Sequence, residues 1–141
     1  MKKAFTLVEI SVVVGIIAVL VSLTLPLGFN FYRNQQFGNE VQAVLESLRR
    51  AQLKSVVQER DASYGVYFGS GLYVLFQGSS YADRVPQYDE SFSHALTTGG
   101  LAEIVFSKVE GIPSVTGNVI LTNGGNASTI NINSEGRINL E

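Results

Sequence analysis

"KKAFTLVEISVVVGIIAVLVSLTL", residues 2–25, decides how the rest of the chain is read. From Ile10 to Tyr32 there is no ionisable group except the Tyr32 phenol. As a helix, Phe5–Leu25 is about 31 Å long, close to the roughly 30 Å hydrocarbon core of a bilayer. Lys2 and Lys3 precede the apolar run, so the positive-inside rule predicts a cytoplasmic start and an exported remainder. Glu9 breaks the pattern, because an acid well inside a membrane helix costs about 2.5–3.5 kcal/mol, less near an end. A cleavable secretion signal would have an apolar core of about 7–15 residues and then a small-x-small site. This run is longer and is followed by Leu-Pro-Leu-Gly-Phe. A plain anchor leaves Glu9 without a role, whereas an acid that meets a partner on another helix explains both features.

Lys2-Lys3-Ala4 followed by Phe5-Thr6-Leu7-Val8-Glu9-Ile10 resembles the class III signal of type IV pilins and type II secretion pseudopilins. The resemblance is strong over residues 1 to 27 and looser beyond. It implies that a prepilin peptidase cuts between Ala4 and Phe5 and methylates the new N-terminus on Phe5. Ala4 stands where the family usually has Gly. Glu9 then becomes the fifth residue of the mature chain, and its carboxylate pairs with the Phe5 ammonium of an adjacent subunit when helices stack with an axial stagger. In a low-dielectric bundle such a pair acts mainly as a register device.

The same resemblance implies an organisation of leader (1–4), transmembrane and assembly helix (5–28) and exported globular domain (29–141). Pro26 removes a helical hydrogen bond and Gly28 loosens the backbone beside it, so a kink is expected there.

Beyond Gly28 a helical period resumes. Phe37, Val41, Val44, Leu45, Leu48, Ala51 and Val56 recur at three- and four-residue spacing, with Arg33, Glu40, Glu46, Arg49, Arg50, Lys54 and Glu59 between them. This predicts an amphipathic helix to about Glu59 whose apolar face lies on a sheet. Downstream the period becomes two. Strands are expected at Tyr64–Phe68 and Leu72–Gln77 around Gly69-Ser70-Gly71, and at Asn118–Thr122 and Ser128–Asn133 around Asn123-Gly124-Gly125-Asn126. Two more are expected at Ala102–Val109 and Arg137–Leu140, while residues 78–100, with their turn formers and Pro86, read as a long loop. The expected fold class is α+β: a long N-terminal helix, membrane-spanning and then amphipathic, packed on an antiparallel β region. This order is similar to that of minor pilins and H-type pseudopilins.

Composition narrows the chemistry. The chain has no cysteine, which excludes disulfides and thiolate metal sites. Setting Lys2 and Lys3 aside, eight basic residues face twelve acidic ones, a poor balance for a polyanion binder. His94 is the single histidine and reads as a surface residue. Ser91, Ser93 and His94 are too close in sequence for a catalytic triad, and no phosphate-cradling GxxxxGK[ST] occurs. Asp83, Asp89 and Glu90 offer oxygen ligands, but their spacing fits no EF-hand and reads as a solvated loop. Asn126-Ala127-Ser128 fits a glycosylation sequon and equally a tight turn. Arg49, Arg50, Lys54 and Arg60 form the one basic concentration, with Glu46 placed four residues before Arg50 for ion pairing.

The expectation is therefore a structural subunit rather than an enzyme, with no cofactor and no metal. The partners implied by the resemblance are like or related pilin subunits, the prepilin peptidase, an inner-membrane assembly platform and membrane lipid before assembly. The location is the cytoplasmic (inner) membrane, then a pilus or pseudopilus. Nucleic acid is not expected as a partner; the alternative is a membrane-tethered ligand- or DNA-binding minor pilin of a DNA-uptake system.

Overall fold

The computed structural model describes residues 6–141, without the side chains of 23–30. Ala4 and Phe5 lie outside the described residues. The chain is α+β: among the described residues there is one α-helix, α1 (Leu7–Val56), then eight strands and two 3-10 turns. It divides into two compact units, Met1–Gln36 and Phe37–Glu141. Phe37, at the start of the second unit, is the first described side chain that packs against its core.

In the first unit, α1 runs through positions 26 and 28; the kink expected at Pro26 and Gly28 falls on side chains outside the described residues. Every described side chain from Leu7 to Ser22 is exposed. Ser11 and Ser22 turn their hydroxyls back onto the carbonyl oxygens of Leu7 and Val19, at 2.9 and 2.8 Å. The hydroxyls are thus satisfied within the helix, and its flank presents hydrocarbon.

In the second unit, α1 carries one apolar stripe. Val41, Val44, Leu45, Leu48 and Ala51 are buried in a single cluster with residues of both sheets. The stripe ends one residue earlier than the periodicity suggests. Val56 is exposed, and Ser55 is fully buried in its place. Ser55 is kept inside by its hydroxyl, which accepts the Tyr64 N–H at 2.8 Å and so fixes the start of the first strand.

Sheet A has the order β3-β2-β1-β5, from β1 (Tyr64–Gly69), β2 (Leu72–Gln77), β3 (Glu90–Ser93) and β5 (Glu103–Phe106). Sheet B has the order β4-β6-β7-β8, from β4 (Thr97–Gly100), β6 (Gly117–Asn123), β7 (Asn126–Ile132) and β8 (Ile138–Leu140). All pairings are antiparallel. Tyr64, Val66, Phe68, Leu75, Ile104 and Phe106 of sheet A and Val119, Leu121, Ile130 and Ile132 of sheet B face the helix in one core. Alternation of apolar and polar residues along β6 and β7 gives sheet B one buried and one open face.

Both glycine-marked hairpins form where expected. Gly69 pairs with Leu72 across Ser70-Gly71, and Asn123 pairs with Asn126 across Gly124-Gly125. The turns need left-handed backbone, supplied at Gly71 (φ 74°) and Gly124 (φ 56°). The long loop expected over 78–100 is corrected. It holds a 3-10 turn at Pro86–Tyr88 and strands β3 and β4. β3 alternates half-buried and exposed positions over only four residues, and β4 is Thr-Thr-Gly-Gly, so neither has an apolar pattern long enough to register.

Gln52 joins two loops to the helix: its Nε2 donates to the carbonyl oxygens of Gly111 at 3.0 Å and Gly136 at 2.8 Å. The outer face of sheet A is closed by residues 78–89. Tyr81 stacks on Tyr67 with centroids 3.9 Å apart, and the Arg84 guanidinium lies 3.9 Å from the Tyr81 centroid. Phe76 reaches that face across Gly65, where a Cβ would sit 2.7 Å from Phe76 Cζ and 2.5 Å from the Ile104 carbonyl oxygen.

Two substitutions test this packing by thermal unfolding of the detergent-solubilised chain. Gly65→Ala is expected to cost about 1–3 kcal/mol through overpacking, and an unchanged melting temperature would contradict the close approach. Ser55→Ala leaves the buried Tyr64 N–H without its acceptor and is expected to cost a similar amount, about 1–3 kcal/mol.

Candidate functional site

Glu9 stands in the first turn of α1. Its backbone N–H donates to Thr6 Oγ1 at 3.2 Å, and the Ile10 N–H donates to the Thr6 carbonyl oxygen, also at 3.2 Å. Thr6 is therefore the N-cap, and Thr6-Leu7-Val8-Glu9 has the spacing of a capping box. An acid at this position also meets the positive end of the helix dipole, worth about 0.3–1 kcal/mol at an exposed site. Glu9 thus has a local role at the helix N-terminus beside any intersubunit one, and the S/T-x-x-E spacing is its sequence signal. Around it the exposure is heavy: Leu7 84%, Val8 69%, Ile10 51%, Val12 55% and Val14 59%. Within its own unit the helix offers these side chains no cover, and a flank that is apolar all round needs one.

Among the described residues no helix is long and apolar enough to cross a membrane. The described side chains of the apolar run stop at Ser22, which is short of a span at 1.5 Å per residue.

The basic concentration lies in the second unit and differs from its expected pairing. Arg50 and Lys54 meet Glu90 at the start of β3, not Glu46: Arg50 Nη2 is 3.0 Å from Glu90 Oε2, and Lys54 Nζ is 2.8 Å from Glu90 Oε1. Lys54 also lies 3.6 Å from Glu59, and Glu59 lies 3.1 Å from Arg60, whose guanidinium is 4.1 Å from the Tyr88 centroid. Cations and carboxylates alternate here, so Arg50, Lys54 and Arg60 present no continuous positive surface. No sequence signal gives Glu90 as the partner, because its 36- and 40-residue separations from Lys54 and Arg50 are set by the tertiary fold.

The three loop acids are each engaged separately. Asp83 accepts the Ser80 hydroxyl at 3.1 Å, Asp89 accepts Arg84 Nε at 2.7 Å, and Glu90 is held as described. Among the described residues no group of three His, Cys, Asp or Glu is arranged to hold a metal ion. His94 is half-buried and stacks on Tyr73, with centroids 5.7 Å apart, while its Nδ1 accepts the Leu96 N–H at 3.1 Å. It ties the β3–β4 connection together. Cavities lie against the sheets, two of them apart from the Glu90 cluster. One of about 350 Å³ lies between the β1–β2 hairpin and Leu96, Thr97 and Thr98; the other, of about 300 Å³, has Val105, Phe106, Ile112 and Pro113 with a serine rim. Neither brings together groups suited to acid–base or nucleophilic chemistry.

Comparison with protein-family models, with curated proteins and with solved structures gives no match.

The Glu90 cluster has a pH signature. The hydrogen bond from Lys54, partly opposed by burial and reinforced by the charges of Lys54 and Arg50, holds the Glu90 carboxyl below its ordinary value of 4.5. A depressed carboxylate adds stability that is present above the ordinary value and is lost as pH falls through the lower folded value. Melting temperature should therefore fall on acidification below about pH 4.5. Glu90→Gln should cost about 0.5–1 kcal/mol at pH 7 for this partly exposed pair and flatten that acid limb. An acid limb identical in wild type and variant would show that Glu90 does not contribute to it.

Proposed function

We propose that this chain is a structural subunit of a type IV pilus or type II secretion pseudopilus rather than an enzyme. It would be inserted in the cytoplasmic membrane with residues 29–141 exported, cut after Ala4, methylated on Phe5 and polymerised through α1. The observation that carries the reading is the exposed apolar flank of α1 from Leu7 to Val21 with Glu9 set in its first turn. Leu7–Leu25 at 1.5 Å per residue measures about 28 Å, enough with its neighbours for a hydrocarbon core of about 30 Å. The inward-turned hydroxyls of Ser11 and Ser22 suit the same surroundings. Lipid covers this flank before assembly and the helices of other subunits cover it afterwards. The implied partners are like or related subunits, the peptidase and an assembly platform in the membrane. The alternation of Arg50, Lys54 and Arg60 with Glu59 and Glu90 favours a filament role over nucleic-acid contact.

The capping role of Glu9 and an intersubunit role are separable. Thr6→Val removes the cap, at about 1 kcal/mol, and should leave filaments in place. Glu9→Leu leaves a buried ammonium without its partner, about 3–5 kcal/mol per contact, and should abolish filaments while the chain still fractionates with the membrane. Sheared filaments scored by electron microscopy and immunoblot give the readout. Normal filaments from Glu9→Leu, or none from wild type in its own host with its assembly machinery, would overturn the reading.

A further inference from the structure

The four outer edges of the two sheets are not treated alike. On β5, Val105 is covered by the chain's own return: its carbonyl oxygen accepts the Ser114 N–H at 2.7 Å, and its N–H donates to Ser114 Oγ at 3.2 Å. β3 is tied to α1 near both ends, by Glu90 to Arg50 and Lys54 and by the Ala95 N–H to Glu40. Among the described residues sheet B has no such covers. The Leu101 N–H bonds to the Asn118 carbonyl oxygen at 3.1 Å, so the β4 residues bonded to β6 are Thr97 and Gly99. Thr98 and Gly100 direct their backbone groups outward, where no partner is found among the described residues. At the far edge, Thr129 and Glu141 exchange both backbone bonds, which makes Asn139 the β8 residue bonded to β7 and leaves Ile138 and Leu140 facing outward.

Exposed edges are ordinarily guarded by shortness of the strand, charge, proline or a cover, and within β4 and β8 only the first applies, at four and three residues. No Asp, Glu, Lys or Arg occurs from Ser91 to Ala102, and no proline occurs in β4 or β8. The two open edges also fit each other. In the order β4-β6-β7-β8 each strand opposes its neighbour, so β4 and β8 run in opposite directions and a translated copy presents β4 antiparallel to β8. Each edge offers two outward residues of alternating register, Thr98 and Gly100 against Ile138 and Leu140. We propose that β4 of one copy pairs antiparallel with β8 of a second copy, continuing sheet B from subunit to subunit. The contact is head-to-tail and does not close, the kind that repeats along a fibre. So short a pairing does not hold free copies together against the cost of association. It forms where copies already stand side by side, and in that respect it rests on the filament reading.

The absence of native cysteine makes the join directly readable. Gly99 and Asn139 share the open face of sheet B and become a non-hydrogen-bonded pair, with Cα atoms about 4.5 Å apart, close enough for a disulfide. A Cβ at Gly99 meets only Ile120, at 3.9 Å, so a side chain is tolerated there. Full-length Gly99→Cys and Asn139→Cys chains, co-expressed in cells and oxidised, are expected to give a mixed disulfide at least tenfold above that from either alone or from Gln42→Cys with Asn139→Cys. Adding Thr98→Pro, which removes an outward N–H and no bond to β6, should abolish it without shifting the melting temperature beyond a few degrees. No mixed disulfide, equal yields from single variants, disulfides only to other proteins, or indifference to Thr98→Pro would each overturn the join. Filaments scored by microscopy in the same cells separate the two readings. Filaments without the disulfide overturn the join alone, and a disulfide without filaments overturns the filament reading together with the join as placed within it.

Discussion

A single apolar stripe on the second half of α1 holds the second unit together. Val41, Val44, Leu45, Leu48 and Ala51 face both sheets, and the two sheets meet in one core only because this stripe lies against each. The polar fastenings gather along the same helix: Ser55 on the start of β1, Gln52 on the loops at Gly111 and Gly136, and Arg50 and Lys54 on β3. Each is short-range and directional, whereas the stripe is neither. Burial supplies the larger part of the free energy, and the hydrogen bonds fix which strand begins where.

The two halves of α1 solve opposite problems with the same backbone. Where the side chains are apolar on all sides, as from Leu7 to Val21, nothing within the unit covers them. Where polar residues interrupt at helical spacing, as from Phe37 to Ser55, one face is buried and the other meets water. A helix of the second kind makes its own domain; a helix of the first kind depends on lipid or on other helices. The boundary between the compact units falls where one pattern gives way to the other, between Gln36 and Phe37.

Much of this was legible before any coordinates. The amphipathic helix follows from spacing, and both long hairpins follow from glycines that tolerate left-handed turns. β3 and β4 were not legible, since four residues of Glu-Ser-Phe-Ser or Thr-Thr-Gly-Gly make too short a pattern and their pairing is decided by neighbours distant in sequence. The end of the stripe departs from the sequence period for a related reason. Apolar Val56 fits the period but faces solvent, while Ser55 is buried because its hydroxyl has the Tyr64 N–H to bond. For Arg50, a partner four residues earlier on the helix competes with one delivered by tertiary structure, and Glu90 prevails because it can receive Arg50 and Lys54 together. The Thr6 cap is legible as the S/T-x-x-E spacing of residues 6–9.

The magnitudes at that first turn bear on why an acid stands there. Capping and the helix dipole together supply on the order of 1–2 kcal/mol at most, and the cap itself needs only Thr6. An amide or a second hydroxyl at position 9 would keep the backbone bond to Thr6 Oγ1, because the donor is the Glu9 main chain. The carboxylate is therefore dispensable to the cap, and in apolar surroundings it carries a cost comparable to or larger than the dipole gain. A neighbouring cation offsets that cost only when it sits at one axial position. On the proposed filament reading, a charge in this place would select one stagger of helix against helix and penalise the others, which is a property useful to an ordered polymer and of no use to an isolated anchor.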